Sequence, residues 1–260
     1  MTDNFKNIRL CVFDIDGTLK EKGKPISAGV SRAIINLQKR GVFCTVATGR
    51  GFETMIEGTR PIRFNAPLII LDGSAIVTYQ KNNIFLRRLK GEEIVLTRNF
   101  VEQKSRQVGF IGFWQTDNKG VFIAANERFE KELKKSYPNI HKNFISSREE
   151  FFLRAELEKP SLIFIKTKAR LIPPRAANAL YNDDTLNFVG RGVSKAKAVN
   201  FVCRRLKIKA SQVAIFGNDD NDQSLFEKGF GLKVLVGHRS HELKKRANMI
   251  VDNLEQFFRV

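Results

Sequence analysis

The sequence predicts an α/β fold, with a parallel central sheet interrupted by an inserted α+β domain. Three observations carry that expectation. Short apolar runs alternate with amphipathic helical segments at the start of the chain, the order becomes a mixture of strands and helices after about residue 90, and the alternation returns near 188. The changes of pattern divide the chain into a split core, residues 1–88 and 188–260, and an inserted domain, residues 89–187. With 260 residues, 42% of them hydrophobic, there is enough apolar side chain to fill a sizeable core.

Residues 8–13 read as a short buried strand. Ser27 is placed to cap a helix whose apolar residues Val30, Ile34 and Leu37 recur at helical spacing, and Gly41 sits where a helix ends in a left-handed residue. The next strand follows at once, over 42–46. Strand, helix, strand in this order is a βαβ unit with parallel strands and a right-handed crossover. A third apolar strand spans 67–71, and 75–79 with 84–89 form a hairpin around Lys81-Asn82-Asn83. In the insertion the sequence suggests a helix over 92–106, a hairpin of 110–114 with 121–125 around Asp117-Asn118-Lys119-Gly120, a helical 127–136, a strand over 161–167, and a helix after Pro173-Pro174. Ser194 then caps a helix over 195–206, followed by a strand at 213–216, an Asn/Asp-rich loop at 217–222, and a strand at 232–236.

Chemistry gathers at the predicted strand ends. In Phe13-Asp14-Ile15-Asp16-Gly17-Thr18 two carboxylates lie one residue apart, where extended backbone points both side chains the same way and the glycine allows a sharp turn. Alone, the pair also fits an ordinary strand exit. A calcium loop is excluded, because Lys20, Lys22 and Lys24 stand where further oxygen ligands would be needed. Thr48-Gly49-Arg50 ends the second strand, Lys195 opens a helix, and Gly217 to Asp222 form the acidic loop, all at the sheet edge where open α/β folds bind ligands. Each of these has a plain reading as a turn or a solvated helix residue. Together, two acids, a second acidic loop, a lysine and a hydroxyl form the set needed for metal-assisted phosphoryl transfer through an aspartyl-phosphate.

On these four motifs, in this order, the chain resembles the haloacid dehalogenase (HAD) superfamily of phosphatases, in particular its class IIB, Cof-type branch. The resemblance covers most of the chain and implies a Rossmann-like core with an inserted cap that selects substrate. It implies Asp14 as the nucleophile, Asp16 as the acid and then the base, and Lys195 as the neutralising cation. Thr48, Gly49, Arg50 and Asn221 would bind the phosphate or substrate, with an ion pair the competing role for Arg50. Mg²⁺ would be held by Asp14, the Asp16 carbonyl, Asn218 and Asp222, with Asp219 as a further candidate. The family usually has Gly-Asp-x-x-Asn-Asp in the last motif, so Asn218 replaces a direct carboxylate ligand. Asp72, where relatives often have Asn-Gly-Ala, is read as a turn residue or one that orients substrate. In the cap, Phe110, Phe113, Trp114, Phe122, Arg128 and Lys166 are candidates to face the site.

The implied activity is Mg²⁺-dependent hydrolysis of a small phosphorylated metabolite, a sugar phosphate first. The alternatives are a phosphomutase of related fold, or a catalytically weakened relative that binds a phospho-ligand or nucleic acid. The net charge of +18 is spread along the chain without a basic tail, so it steers a phosphorylated metabolite as readily as DNA, and nucleic acid is not the expected partner. Cys11, Cys44 and Cys203 lie in apolar stretches at spacings that suit buried thiols rather than disulfides or zinc. No apolar run is long enough to span a membrane and the first residues lack a signal-peptide core, so the expected location is cytoplasmic. Oligomeric state is not readable from the sequence.

Overall fold

The computed structural model describes residues 5–259 apart from 22, 115–118, 125–130, 132–133, 136–140, 146, 183 and 228. The predicted helical segment 127–136, the turn at 117–120 and Arg128 fall wholly or partly outside the described residues.

The core begins with β1 (Leu10–Phe13), α1 (Ala28–Lys39), β2 (Phe43–Val46) and α2 (Phe52–Thr59). It resumes after the insertion with α5 (Lys195–Leu206), β12 (Val213–Gly217), β13 (Leu232–Val236), α6 (His241–Lys244), β14 (Met249–Val251) and α7 (Leu254–Arg259). These strands form one five-stranded sheet in the order β14-β13-β12-β1-β2, parallel throughout. β1 and β12 are buried along their whole length, which explains their unbroken apolar composition: helices cover both faces of a parallel sheet. Ser27 caps α1 by accepting a hydrogen bond from Val30 N at 3.2 Å, and Val30, Ile34 and Leu37 are its buried stripe. Cys11, Cys44 and Cys203 are free and buried.

A small antiparallel sheet of β3 (Leu68–Ile70), β4 (Ala75–Val77) and β5 (Asn83–Leu86) joins the end of β2 through a parallel bridge between Ala47 and Ile69.

The insertion contains α3 (Gly91–Gln103), β6 (Val108–Trp114), β7 (Lys119–Ala124), β8 (His141–Phe144), α4 (Arg148–Glu158), β9 (Leu162–Thr167), β10 (Asn178–Asn182) and β11 (Thr185–Val189). Its six strands run in the order β10-β11-β9-β6-β7-β8, antiparallel except for the β7–β8 pair. The pleat sorts its side chains by period two. Ile111, Phe113, Ile163, Ile165, Leu186 and Phe188 share a cluster with Phe100 of α3 and with Phe151 and Phe152 of α4. Phe110, Trp114, Leu162, Phe164, Lys166 and Asn187 alternate with them and line a cavity facing the core. Phe113 and Phe122, expected as possible site residues, are wholly buried packing residues. Gly112 is a spatial requirement of this face: a Cβ there would lie 2.5 Å from the Phe164 ring and 2.6 Å from that of Phe122.

The predicted helix after Pro173-Pro174 is instead the β10–β11 hairpin. The Ala-rich stretch 176–180 misleads, because β11 pairs with β9 residue for residue, Thr185 with Lys166 through Val189 with Leu162, and β10 pairs in turn with β11. Helices α2 and α4 and strand β8 were not foreseen. Among the described residues no helix is long and apolar enough to cross a membrane.

Candidate active site

Parallel strands deliver the motif residues to one edge. Asp14 follows β1 and its amide donates to the Phe216 carbonyl at 2.9 Å; Thr48 follows β2 and its amide donates to Ile69 O at 3.1 Å; Asn218 follows β12. Lys195 opens α5, capped by Ser194, whose hydroxyl accepts from Lys197 N at 3.2 Å.

Lys195 is the hub. Its side chain is fully buried, and Nζ donates to Asp14 Oδ1 at 2.9 Å and to Asp222 Oδ1 at 2.7 Å. Burial alone would discharge it, but Asp14, Asp222 and Asp72 outweigh that effect and hold the ammonium charged. Burial pushes the Asp14 carboxyl up to about 8, with the Asp222 charge adding to the rise and Lys195 opposing it. Asp222 Oδ2 accepts from Asn218 N at 3.0 Å, so both of its oxygens have partners. Gly217 makes this packing possible, since a Cβ there would stand 2.6 Å from Asp222 Oδ2.

Asp16 lies at the cavity wall and belongs to a second cluster. Arg50 holds it with a two-pronged fork, Nε to Oδ2 at 2.6 Å and Nη2 to Oδ1 at 2.8 Å, while Nη1 donates to the Thr54 carbonyl at 2.8 Å. Each Asp16 oxygen thus accepts one hydrogen bond from Arg50 and keeps a further lone pair, and the carboxyl lines both cavities described below. Gly58 of α2 gives the guanidinium room, because a Cβ would meet Nη1 at 2.9 Å. Thr48 is buried and its hydroxyl accepts from Arg50 N at 3.2 Å.

A third cluster surrounds Asn218. Thr18 donates its hydroxyl to Asn218 Oδ1 at 3.1 Å, a contact the sequence reading did not anticipate although Thr18 lies within the first motif. Gly17 has φ +86°, and a Cβ on it would fall 2.1 Å from Asn218 Nδ2, so the position requires glycine twice over. Asn221 Oδ1 is buried without a hydrogen-bond partner. Asp219 Oδ1 accepts from Asp220 N at 2.7 Å and serves the turn.

Two cavities meet here. One of about 350 Å³ is lined by Asp16, Gly17, Asn218, Asp219 and Asn221. The other, about 750 Å³, lies between core and cap, with Asp16, Gly49, Arg50 and Lys20 on one side and Trp114, Phe164, Lys166 and Asn187 on the other. Asp16 and Asn182 line both. Lys166 is paired with Asp184. Asn182 and Asn187 escaped the sequence reading, because nothing local marks them; their place depends on the β10–β11 hairpin.

The smaller cavity offers only oxygen ligands of hard character. Among the described residues no group of three His, Cys, Asp or Glu side chains is spaced to hold an ion. Its lining supplies the amide oxygens of Asn218 and Asn221 and the carboxylates of Asp16 and Asp219. An unpartnered buried Asn221 oxygen beside a polar cavity fits Mg²⁺, which takes few protein oxygens and keeps several waters.

The family model for haloacid dehalogenase-like hydrolases matches residues 11–256. The chain belongs to this family. The phosphoglycolate phosphatase of Picrophilus torridus is 23% identical over 252 residues, spanning 94% of this chain and 85% of its own. A haloacid dehalogenase-like hydrolase from Bacteroides thetaiotaomicron superposes with a TM-score of 0.76 at 18% identity, covering 97% of this chain and 98% of the other. The HAD subclass IIB sugar phosphatase BT4131 gives 0.75 at 18% identity, covering 96% and 98%. Both superpositions extend over nearly all of this chain, core and insertion alike.

Proposed function

We propose that the chain is a Mg²⁺-dependent phosphatase that hydrolyses a small phosphorylated metabolite, sugar phosphates first, through an aspartyl-phosphate. The observation that carries this reading is the fully buried Lys195 ammonium bonded to both Asp14 and Asp222. A buried cation serving two carboxylates is a preorganised field for a reaction whose catalysis is mostly positioning and charge stabilisation.

In this reading Lys195 fixes the Asp14 carboxylate through Oδ1 and the carboxylate attacks phosphorus. Asp16 protonates the leaving oxygen and then takes a proton from the water that cleaves the acyl phosphate. Thr48, the Gly49 backbone, Arg50 and Asn221 bind the phosphoryl oxygens. Asp14, the Asp16 carbonyl and Asn218 would hold Mg²⁺, backed by Asp222 or Asp219, and the ion supplies charge neutralisation of the phosphoryl group when bound. The larger cavity, closed over by Trp114, Phe164 and Lys166, receives the leaving group. The names of the relatives, a phosphoglycolate phosphatase and a sugar phosphatase, agree with a phosphorylated metabolite of this size.

The test is release of inorganic phosphate from p-nitrophenyl phosphate and a panel of sugar phosphates with Mg²⁺ present. Asp14→Asn should abolish release while the circular dichroism spectrum stays native; near-full activity in that variant overturns the assignment. Transfer of the phosphoryl group to a second position of the sugar, without release, would mark a mutase.

A further inference from the structure

A further buried carboxylate, beside the Lys195 cluster, ties the core to the cap. Asp72 lies in the turn between β3 and β4, fully buried, with left-handed backbone (φ 54°, ψ 28°). The turn is pinned to the phosphate loop: Asp72 N donates to Thr48 O at 3.0 Å and Leu71 N to Arg50 O at 3.0 Å. Asp72 Oδ2 accepts from Asn187 Nδ2 of β11 at 2.8 Å, whereas Oδ1 is buried with no partner. Stability alone does not favour an under-bonded carboxylate in the interior. Both Asp72 oxygens and Asn182 Nδ2 would lie 3.1 Å from a Cβ at position 49, so the core carboxylate and the tip of the β10–β11 hairpin converge over the bare backbone of Gly49.

We propose that Asp72 is a positioning residue: by accepting from Asn187 it docks the β10–β11 hairpin on the core and holds Asn182 at the junction of the two cavities, where the leaving group meets Asp16. The inference rests on the reading of the site as a phosphatase for the direction of its kinetic effect, but the tie itself does not. Asn182 then belongs to the wall that selects the leaving group, and it is correctly placed only while Asp72 and Asn187 are joined. Asn at position 72 keeps an acceptor oxygen and tolerates left-handed backbone, so it preserves the tie; alanine does not.

Kinetics with glucose 6-phosphate and p-nitrophenyl phosphate, on Asp72→Ala, Asn187→Ala, their combination and Asp72→Asn, test this. Each alanine variant should lower kcat/KM for the sugar phosphate by about tenfold, chiefly through KM, with a smaller effect on the aryl ester. The double variant should be no worse than the poorer single one, and Asp72→Asn should remain within about threefold of the parent. Additive losses, or Asp72→Asn as impaired as Asp72→Ala, overturn the proposal. If the parent releases no phosphate from any substrate, the functional reading fails and the tie is read without activity. Hydrogen exchange across residues 178–189 should then quicken in Asn187→Ala, and unchanged protection would refute the tie.

Discussion

Lys195 Nζ stands 2.9 Å from Asp14 and 2.7 Å from Asp222, one buried cation serving two buried carboxylates. Removing the cation strands both acids in a dry site. Lys195→Met should therefore cost about 3–5 kcal/mol of folding stability, as uncompensated buried charge does. Phosphate release should fall by at least about 100-fold. Chemical denaturation and single-turnover kinetics on the same variant check the two effects separately, and a stable, active Lys195→Met protein contradicts both.

Arg50 meets Asp16 through two parallel hydrogen bonds, an arrangement a lysine cannot copy. If the guanidinium passes from Asp16 to an incoming phosphate, Arg50→Lys should raise KM for p-nitrophenyl phosphate about tenfold, with a smaller change in kcat. An unchanged KM would restrict Arg50 to holding Asp16.

Asn218 places a neutral amide where the family usually has a carboxylate. Asn218→Asp adds negative charge beside Asp14 and Asp222, so it should lower stability without metal and tighten Mg²⁺ binding about tenfold or more. Because burial pushes Asp14 up to about 8, the ion must displace a proton below that pH. Apparent Mg²⁺ affinity of the parent should thus climb with pH and level off above about 8. Calorimetric titration at several pH values measures both trends; an affinity independent of pH and of position 218 excludes these groups as ligands.

Burial also raises the Asp72 pKa, against the pull of Lys195 and the hydrogen bond from Asn187. The folded state then binds more protons at this site than the unfolded chain, so its contribution to stability is present in acid. That contribution falls as pH climbs from the unfolded value, about 4, through the raised folded one. Asp72→Asn should accordingly match the parent at low pH and be the more stable protein at neutral pH and above. Urea denaturation of both proteins across that range gives the difference; a gap independent of pH rules out titration of Asp72.

The sequence displays the core half of the candidate site and hides the half that comes from the insertion. Asp14, Asp16, Thr48, Lys195 and Asn218 are visible because each stands at the end of a local apolar strand or the start of a capped helix, where one short motif fixes both position and chemistry. Asn187 reaches Asp72 across 115 residues, and no local pattern announces a contact of that span. The stretch that carries Asn182 and Asn187 even suggested a helix, since its strand character depends on pairing with β9. For Arg50 the sequence suggests a phosphate contact or an ion pair without naming a partner, because motif spacing does not decide what the guanidinium holds; the structure gives it Asp16.

The central strand β1 pairs on one side with β12, Leu10 against Val213, and the catalytic edge exists only where these strands lie together. A chain emerging from the ribosome with its N-terminus first has all six described strands of the insertion available once Val189 is out, while β1 has β2 beside it but still lacks β12. Birth order therefore favours the cap as the earlier structure. Lys195 lies 181 residues after Asp14 and Asp222 another 27 beyond it, so a nascent chain can fold much of its mass before these three side chains come together.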